Sequence, residues 1–335
     1  MSASNESFQA PPPPQIPEPE PRALRPVKLR PIAIAIAVIG VIVCIGGAAK
    51  LIAGGISTGI VIFVGGLLLF LFSLIPLPVI RESEEPLSFF DKVTGIFYEP
   101  ARVFRNLRSH PHWFGAFAIV VVLSLVYSFA FVQRITPERI VEHTVEKVAQ
   151  MGPPFTPPPE AIERMRTDQL SALKNPVERV GGMVKAVVGI FVLGALAAGL
   201  SLLGVLVFGG RINFWQALAA IFYAWLPVVI IQKVLGLVIL YLKAPEDLHP
   251  IRNQDTTLQD NLSLLVSGAD HPVLFVLLSF IGLTWFYYLW LRAKGLHYAG
   301  TKVSSGAGWG VSIILYILVV LFVGVATALF PGFVS

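Results

Sequence analysis

Charge is what this chain has least of. Asp, Glu, Lys and Arg together make up 13% of its 335 residues, about half their usual share in a soluble protein. Such a surface is too poor in charge for an ordinary water-solvated enzyme. An apolar share of 55% with mean hydropathy +0.74 excludes disorder as the dominant state. Cysteine is almost as scarce. Cys44 stands alone, which excludes internal disulfides and Cys-rich metal sites; inside an apolar run, it reads as a small buried side chain. Catalytic signatures are missing too: there is no HExxH, GxSxG, Walker loop or GxGxxG after a strand. His110 and His112 have no third metal ligand close in sequence. The expectation is therefore a non-enzymatic chain with no cofactor and no metal. The formal net charge is +5. In so apolar a chain that balance points to loops beside anionic lipid, not to nucleic acid.

What the sequence does have is long uncharged runs. Residues 31–49, 51–80, 113–133, 186–210, 212–232, 271–291 and 303–335 contain no Asp, Glu, Lys or Arg. A helix of about 20 residues crosses a hydrocarbon core of about 30 Å. The predicted fold class is thus all-α: a polytopic helical membrane protein with seven transmembrane helices, an N-terminal two-helix hairpin followed by a five-helix bundle. The predicted spans are 32–53, 56–79, 113–133, 183–209, 213–242, 271–293 and 306–331.

Four regions follow. Residues 1–31 read as a disordered, Pro-rich cytoplasmic tail, because Pro11-Pro12-Pro13-Pro14 and the prolines after them favour an extended chain. Residues 32–80 are the hairpin, reversing at Gly54 and Gly55. Residues 81–112 are a cytoplasmic amphipathic segment at the membrane surface, and 113–335 are the five-span domain, with an extracytoplasmic helical excursion over 134–182. In that excursion Thr136-Pro137 starts one helix, a second fits 160–174, and Asn175-Pro176 breaks it. The segment 292–302 carries Arg292, Lys294 and Lys302 and no acid. Placing it inside orients the chain with a cytoplasmic N-terminus and an extracytoplasmic C-terminus in the cell (inner) membrane.

The surface segment holds the candidate site. Phe89, Phe90, Phe97 and Phe104 recur at helical spacing and are expected to insert among lipids, with Lys92, Arg102, Arg105 and Arg108 on a cationic side. Pro100 predicts two short helices meeting at Glu99-Pro100. This face would touch the lipid bilayer and a protein partner in the cytoplasm. Gln232 and Lys233 are intramembrane polar residues; with Pro227 they are the candidate pathway of an alternative, a small-solute transporter or channel. Gly55 with Gly59, Gly194 with Gly199, and Gly306 with Gly310 are candidate helix-packing positions. The aromatic run Thr284 to Trp290 reads as an interfacial belt.

The order of these segments carries a resemblance. "FFDKVTGIFYEPARVFRNLRSHPHWFGAF" at 89–117 precedes a span, and "TPERIVEHTVEKV" at 136–148 lies in the polar excursion. "NFWQALAAIFYAWLPVVI" at 213–230 follows, then "GLHYAGTKVSSGAGWGVSI" at 295–313. Over about 89–331 the chain resembles a bacterial member of the Yip1 domain family. The resemblance implies a helical integral membrane protein with a cytoplasmic N-terminus. Eukaryotic members bind prenylated Rab-type GTPases and shape or sort early secretory membranes; bacteria lack that traffic, so the resemblance does not by itself carry the role here, and the family supplies no catalytic residues to transfer.

Overall fold

A computed structural model describes residues 25–52, 54–77, 85–149, 157–251, 253–268 and 270–329. Most of the Pro-rich tail and the Met151–Pro154 breaker lie outside the described residues. The described chain is helical, with no strand beyond two isolated bridges.

α1 (Leu29–Ala48) and α2 (Gly55–Ser73) form a hairpin. Gly54, at φ +64°, supplies the left-handed turn that a side chain would resist. The two helices touch through their backbones: a Cβ on Gly59 would sit 2.5 Å from the Cys44 amide nitrogen, and one on Gly55 2.7 Å from the Gly47 Cα. The hairpin leans on the rest through α2, where Phe72 stacks on Phe214 with ring centroids 4.7 Å apart.

α3 (Phe89–Tyr98) and α4 (Pro100–Ser109) form an elbow at the end of the bundle where α5 (Phe114–Ile135) begins. Pro100 at the first position of α4 has no N–H to lose, and Glu99 lies between the two helices. At the opposite, loop end, α6 (Pro137–Ala149) and α7 (Pro159–Lys174) pack on each other as a polar pair. α8 (Pro176–Val207) returns across the bundle. Asn175-Pro176 begins this helix as well as ending α7: the Asn175 side chain accepts from the Val177 amide, and proline fits the first turn.

α9 (Phe214–Leu242) is the axis. Every residue from Phe214 to Ala224 is buried, because it is apolar on all sides and carries Ala217, Ala219, Ala220 and Ala224, which let neighbours approach. Its start is closed by a capping box between Asn213 and Gln216. The buried Gln216 also donates 2.8 Å to the Arg108 carbonyl, tying the axis to the end of α4.

The predicted span at 271–293 is not one helix. It is α10 (Pro272–Ser279) and α11 (Leu283–Ala299), broken at 280–282. Their 8 and 17 residues run antiparallel to the 25 of α12 (Ser305–Leu329). Leu277 lies against Gly324, the Tyr316 hydroxyl donates to the Phe280 carbonyl at 2.6 Å, and Gly308 meets the Ala293 carbonyl. The break is served by the loop before it. Asp260 caps α11: its carboxylate accepts from the Thr284 amide at 2.7 Å and its carbonyl from the Leu283 amide at 3.3 Å. The Leu262 amide donates to the Ile281 carbonyl at 3.0 Å. Gly282 admits this contact, since a Cβ there would lie 2.9 Å from that of Asn261.

The same loop is pinned to α5 and α9. The buried Tyr127 hydroxyl donates to the Asn253 carbonyl at 2.7 Å, and Thr257 donates to the Gly236 carbonyl. Six described helices are long and apolar enough to cross a membrane: α1, α2, α5, α8, α9 and α12.

Asp260→Ala removes the remote cap of α11 and leaves the Thr284 amide unserved. The expected loss is about 1–3 kcal/mol, read as a lower thermal midpoint of the detergent-purified chain. An unchanged midpoint would contradict the cap.

Candidate functional site

The elbow is fixed from its inner face outward. Val103, Phe104 and Leu107 of α4 and Ile96 of α3 are fully buried against α9 and α11. Asn106, also buried, holds the entering strand of chain: its side chain donates to the Glu85 carbonyl at 2.8 Å and accepts from the Leu87 amide at 3.2 Å. Ser88 caps α3 by accepting from the Asp91 amide.

The eight sequence-predicted surface residues therefore divide. Phe90 is 75% exposed, and Phe89 and Phe97 are open on the outer side. Phe89 touches Gly115 in the first turn of α5, which sets the elbow level with the start of that apolar helix. Phe104 is 0% exposed, seated on Gly295 of α11. Its helical spacing from Phe97 is real, but the chain turns at Pro100 between them, and Phe97 stays half-exposed while Phe104 is buried. Lys92 is 3% exposed, on the inner side with His112. Burial holds its amine below the usual lysine range. Burial, then the Lys92 charge, then His110 hold the His112 imidazole below its usual 6.5.

Arg102 and Arg105 point outward and meet α11. With Tyr98, Glu99, Trp290 and Lys294 they line an open groove of about 570 Å³. Arg105 lies 5.5 Å from the Tyr298 ring centroid. Lys294 lies 5.2 Å from that of Trp290 and 5.9 Å from that of Tyr298. Arg102 pairs with Glu99 at 3.1 Å; among the described residues Arg105 and Lys294 form no ion pair. Arg108 lies outside this groove. Sequence spacing could not bring in Lys294, about 190 positions away; only its place in an acid-free basic segment marked it. Arg292, from the same segment, is inside the bundle, donating to the Ser201 hydroxyl at 2.9 Å.

The other candidates sit elsewhere. Lys233 donates to the Asp255 carbonyl and lies 4.8 Å from the Tyr127 ring centroid. Gln232 donates to the Thr284 hydroxyl at 3.2 Å. Both are engaged by the loop and the break it serves. Pro227 is buried within α9. Gly194 and Gly310 face the rings of Phe222 and Phe208, whereas Gly199 opens on space and Gly306 meets only Ser304. Among the described residues, no group of three or more His, Cys, Asp or Glu is placed to hold a metal.

Stacked apolar helices, a polar loop folded into one end and an amphipathic elbow at the other define a helical integral membrane protein. The Yip1 domain model matches residues 94–327. The chain belongs to the Yip1 domain family. No curated protein and no solved structure matches it.

The depressed His112 sets a pH dependence. The folded chain binds this proton less readily than the unfolded chain, so its contribution is full above about pH 6.5 and is lost as pH falls through the lower, folded value. The thermal midpoint is expected to fall between about pH 7 and 5, and His112→Gln to flatten that slope. An equally steep slope in the variant would contradict this.

Proposed function

We propose that this chain is a non-enzymatic membrane-organising protein whose elbow works in the headgroup layer of the cytoplasmic leaflet, where it also receives a protein partner. One observation carries the reading. The elbow buries one apolar side against the bundle and still exposes Phe90, Phe97 and Tyr98 on the other, level with the start of α5. A helix pair facing water on its outer side has no need of those rings; one lying among headgroups does.

In this reading the membrane is crossed seven times, the seventh crossing being α10 and α11 together. Their antiparallel run along all of α12 supports it, as does the loop's service to the break. The elbow end then faces the cytoplasm with the N-terminus, and the loop end with the C-terminus faces outward. The acid-free basic segment with Lys294 and Lys302 at the elbow end supports that orientation. The alternative, a solute pathway past Lys233, Gln232 and Pro227, is less well supported. A pathway needs polar groups turned to a wet cavity, and here they are turned to the loop.

A polarity-sensitive fluorophore on Phe90→Cys, in a Cys44→Ala chain reconstituted in vesicles, tests the elbow's depth. Blue-shifted emission, quenched by lipids carrying a nitroxide near the headgroup, is expected. The same label at Glu163 on α7 serves as the aqueous control. Water-like, unquenched emission at position 90 would overturn the proposal.

A further inference from the structure

The groove between the elbow and α11 has a composition that the elbow's amphipathicity does not explain. An in-plane helix needs cations along its edge, free to reach any headgroup. Here Arg102 and Arg105 of α4 and Lys294 of α11 converge on one concavity of about 570 Å³ whose walls include Trp290 and Tyr98. Three cations share it with one carboxylate, Glu99, which Arg102 already engages. Arg105 and Lys294 lie 5.5 and 5.9 Å from the Tyr298 ring centroid, so both cations border one ring as well as one groove. The ring faces favour each cation but leave both without a counter-ion among the described residues. A groove lined by three cations and one already paired carboxylate has a net positive charge, which favours an anion there. The site is also built by two elements far apart in sequence, one carrying the elbow and one crossing the bundle.

We infer that this groove binds the phosphate of an anionic phospholipid headgroup, with Arg105 and Lys294 as its principal ligands and Arg102 at its mouth. Guanidinium and ammonium donors suit phosphate oxygens. The phosphate source is membrane lipid because the groove belongs to the elbow, whose Phe89 rests on the first turn of α5 and whose outer side exposes aromatic rings, as elements lying among headgroups do. A lipid held there would clamp the elbow to α11, adding to the contact of Phe104 with Gly295. This inference rests on the elbow's place in the headgroup layer.

Native mass spectrometry of the full chain, titrated with phosphatidylglycerol or with phosphatidylcholine, reads it out. The wild type is expected to hold one phosphatidylglycerol in preference to phosphatidylcholine. Lys294→Gln and Arg105→Gln should each weaken that binding about tenfold, and Lys294→Arg should restore it. Lys302→Gln removes the same charge at the same end but outside the groove, and should leave binding unchanged. Equal losses in K294Q and K302Q would mean diffuse attraction and overturn the inference. So would displacement of the lipid by inorganic phosphate at millimolar concentration, which would mark a free-phosphate site. Because Lys294 is not on the elbow, the two readings fail differently. A fluorophore at position 90 found in headgroups, with binding indifferent to K294Q, removes the groove alone; a water-exposed fluorophore removes both.

Discussion

Hydrocarbon gives a backbone amide nothing to bond to, and that constraint shapes this molecule more than any side chain. A continuous helix meets it locally; a broken one needs help from elsewhere in the chain. The break at 280–282 falls beside Tyr316, near the middle of α12. Its freed groups are met by Asp260 and Leu262. That obliges the loop to reach down against α9, which in turn requires anchors: Thr257 on the Gly236 carbonyl, and the Tyr127 hydroxyl on the Asn253 carbonyl. Lys233 and Gln232 belong to the same arrangement. Polar residues that look like a pathway when read singly become, in place, the fastening of a loop.

The two ends of the bundle solve different problems. At the loop end, polar backbone has to be brought in and satisfied. At the elbow end, apolar side chains are divided between the bundle core and the outer surface. α3 and α4 divide them by turning at Pro100, so that Phe104 seals the bundle while Phe97 and Phe90 stay outside. The buried Asn106 and Gln216 then fix the elbow to the incoming chain and to the axis. The cations left on its outer side meet Lys294 because the later turns of α11, with Trp290, Lys294 and Tyr298, border α4.

Much of the architecture was legible in the sequence because membrane helices announce themselves by composition. The uncharged runs point to α1, α2, α5, α8, α9 and α12, and proline marks the starts of α4 and α6; Asn175-Pro176 reads in the sequence only as the end of α7, while it also starts α8. The break between α10 and α11 was hidden for a physical reason: apolar residues flank Gly282 on both sides, and the partner that makes the break affordable is 22 positions away at Asp260. Sequence periodicity assigns Phe104 and Lys92 to the surface because it shows only that a helix has two sides. It does not show which apolar environment, core or lipid, each side meets. The cationic groove was half legible: Arg102 and Arg105 stood out within the elbow, but their convergence with Trp290 and Lys294 exists only in three dimensions.

The central claim is that the broken pair α10–α11 crosses the membrane as α12 does. Single cysteines at Asp270 and at Lys302, in a Cys44→Ala chain reconstituted into sealed vesicles of uniform orientation, test it most directly. A membrane-impermeant maleimide applied outside should label one of the two positions before the vesicles are opened and the other only after. Labelling of both from the same side would contradict the crossing, and with it the placing of the elbow and the loop on opposite faces.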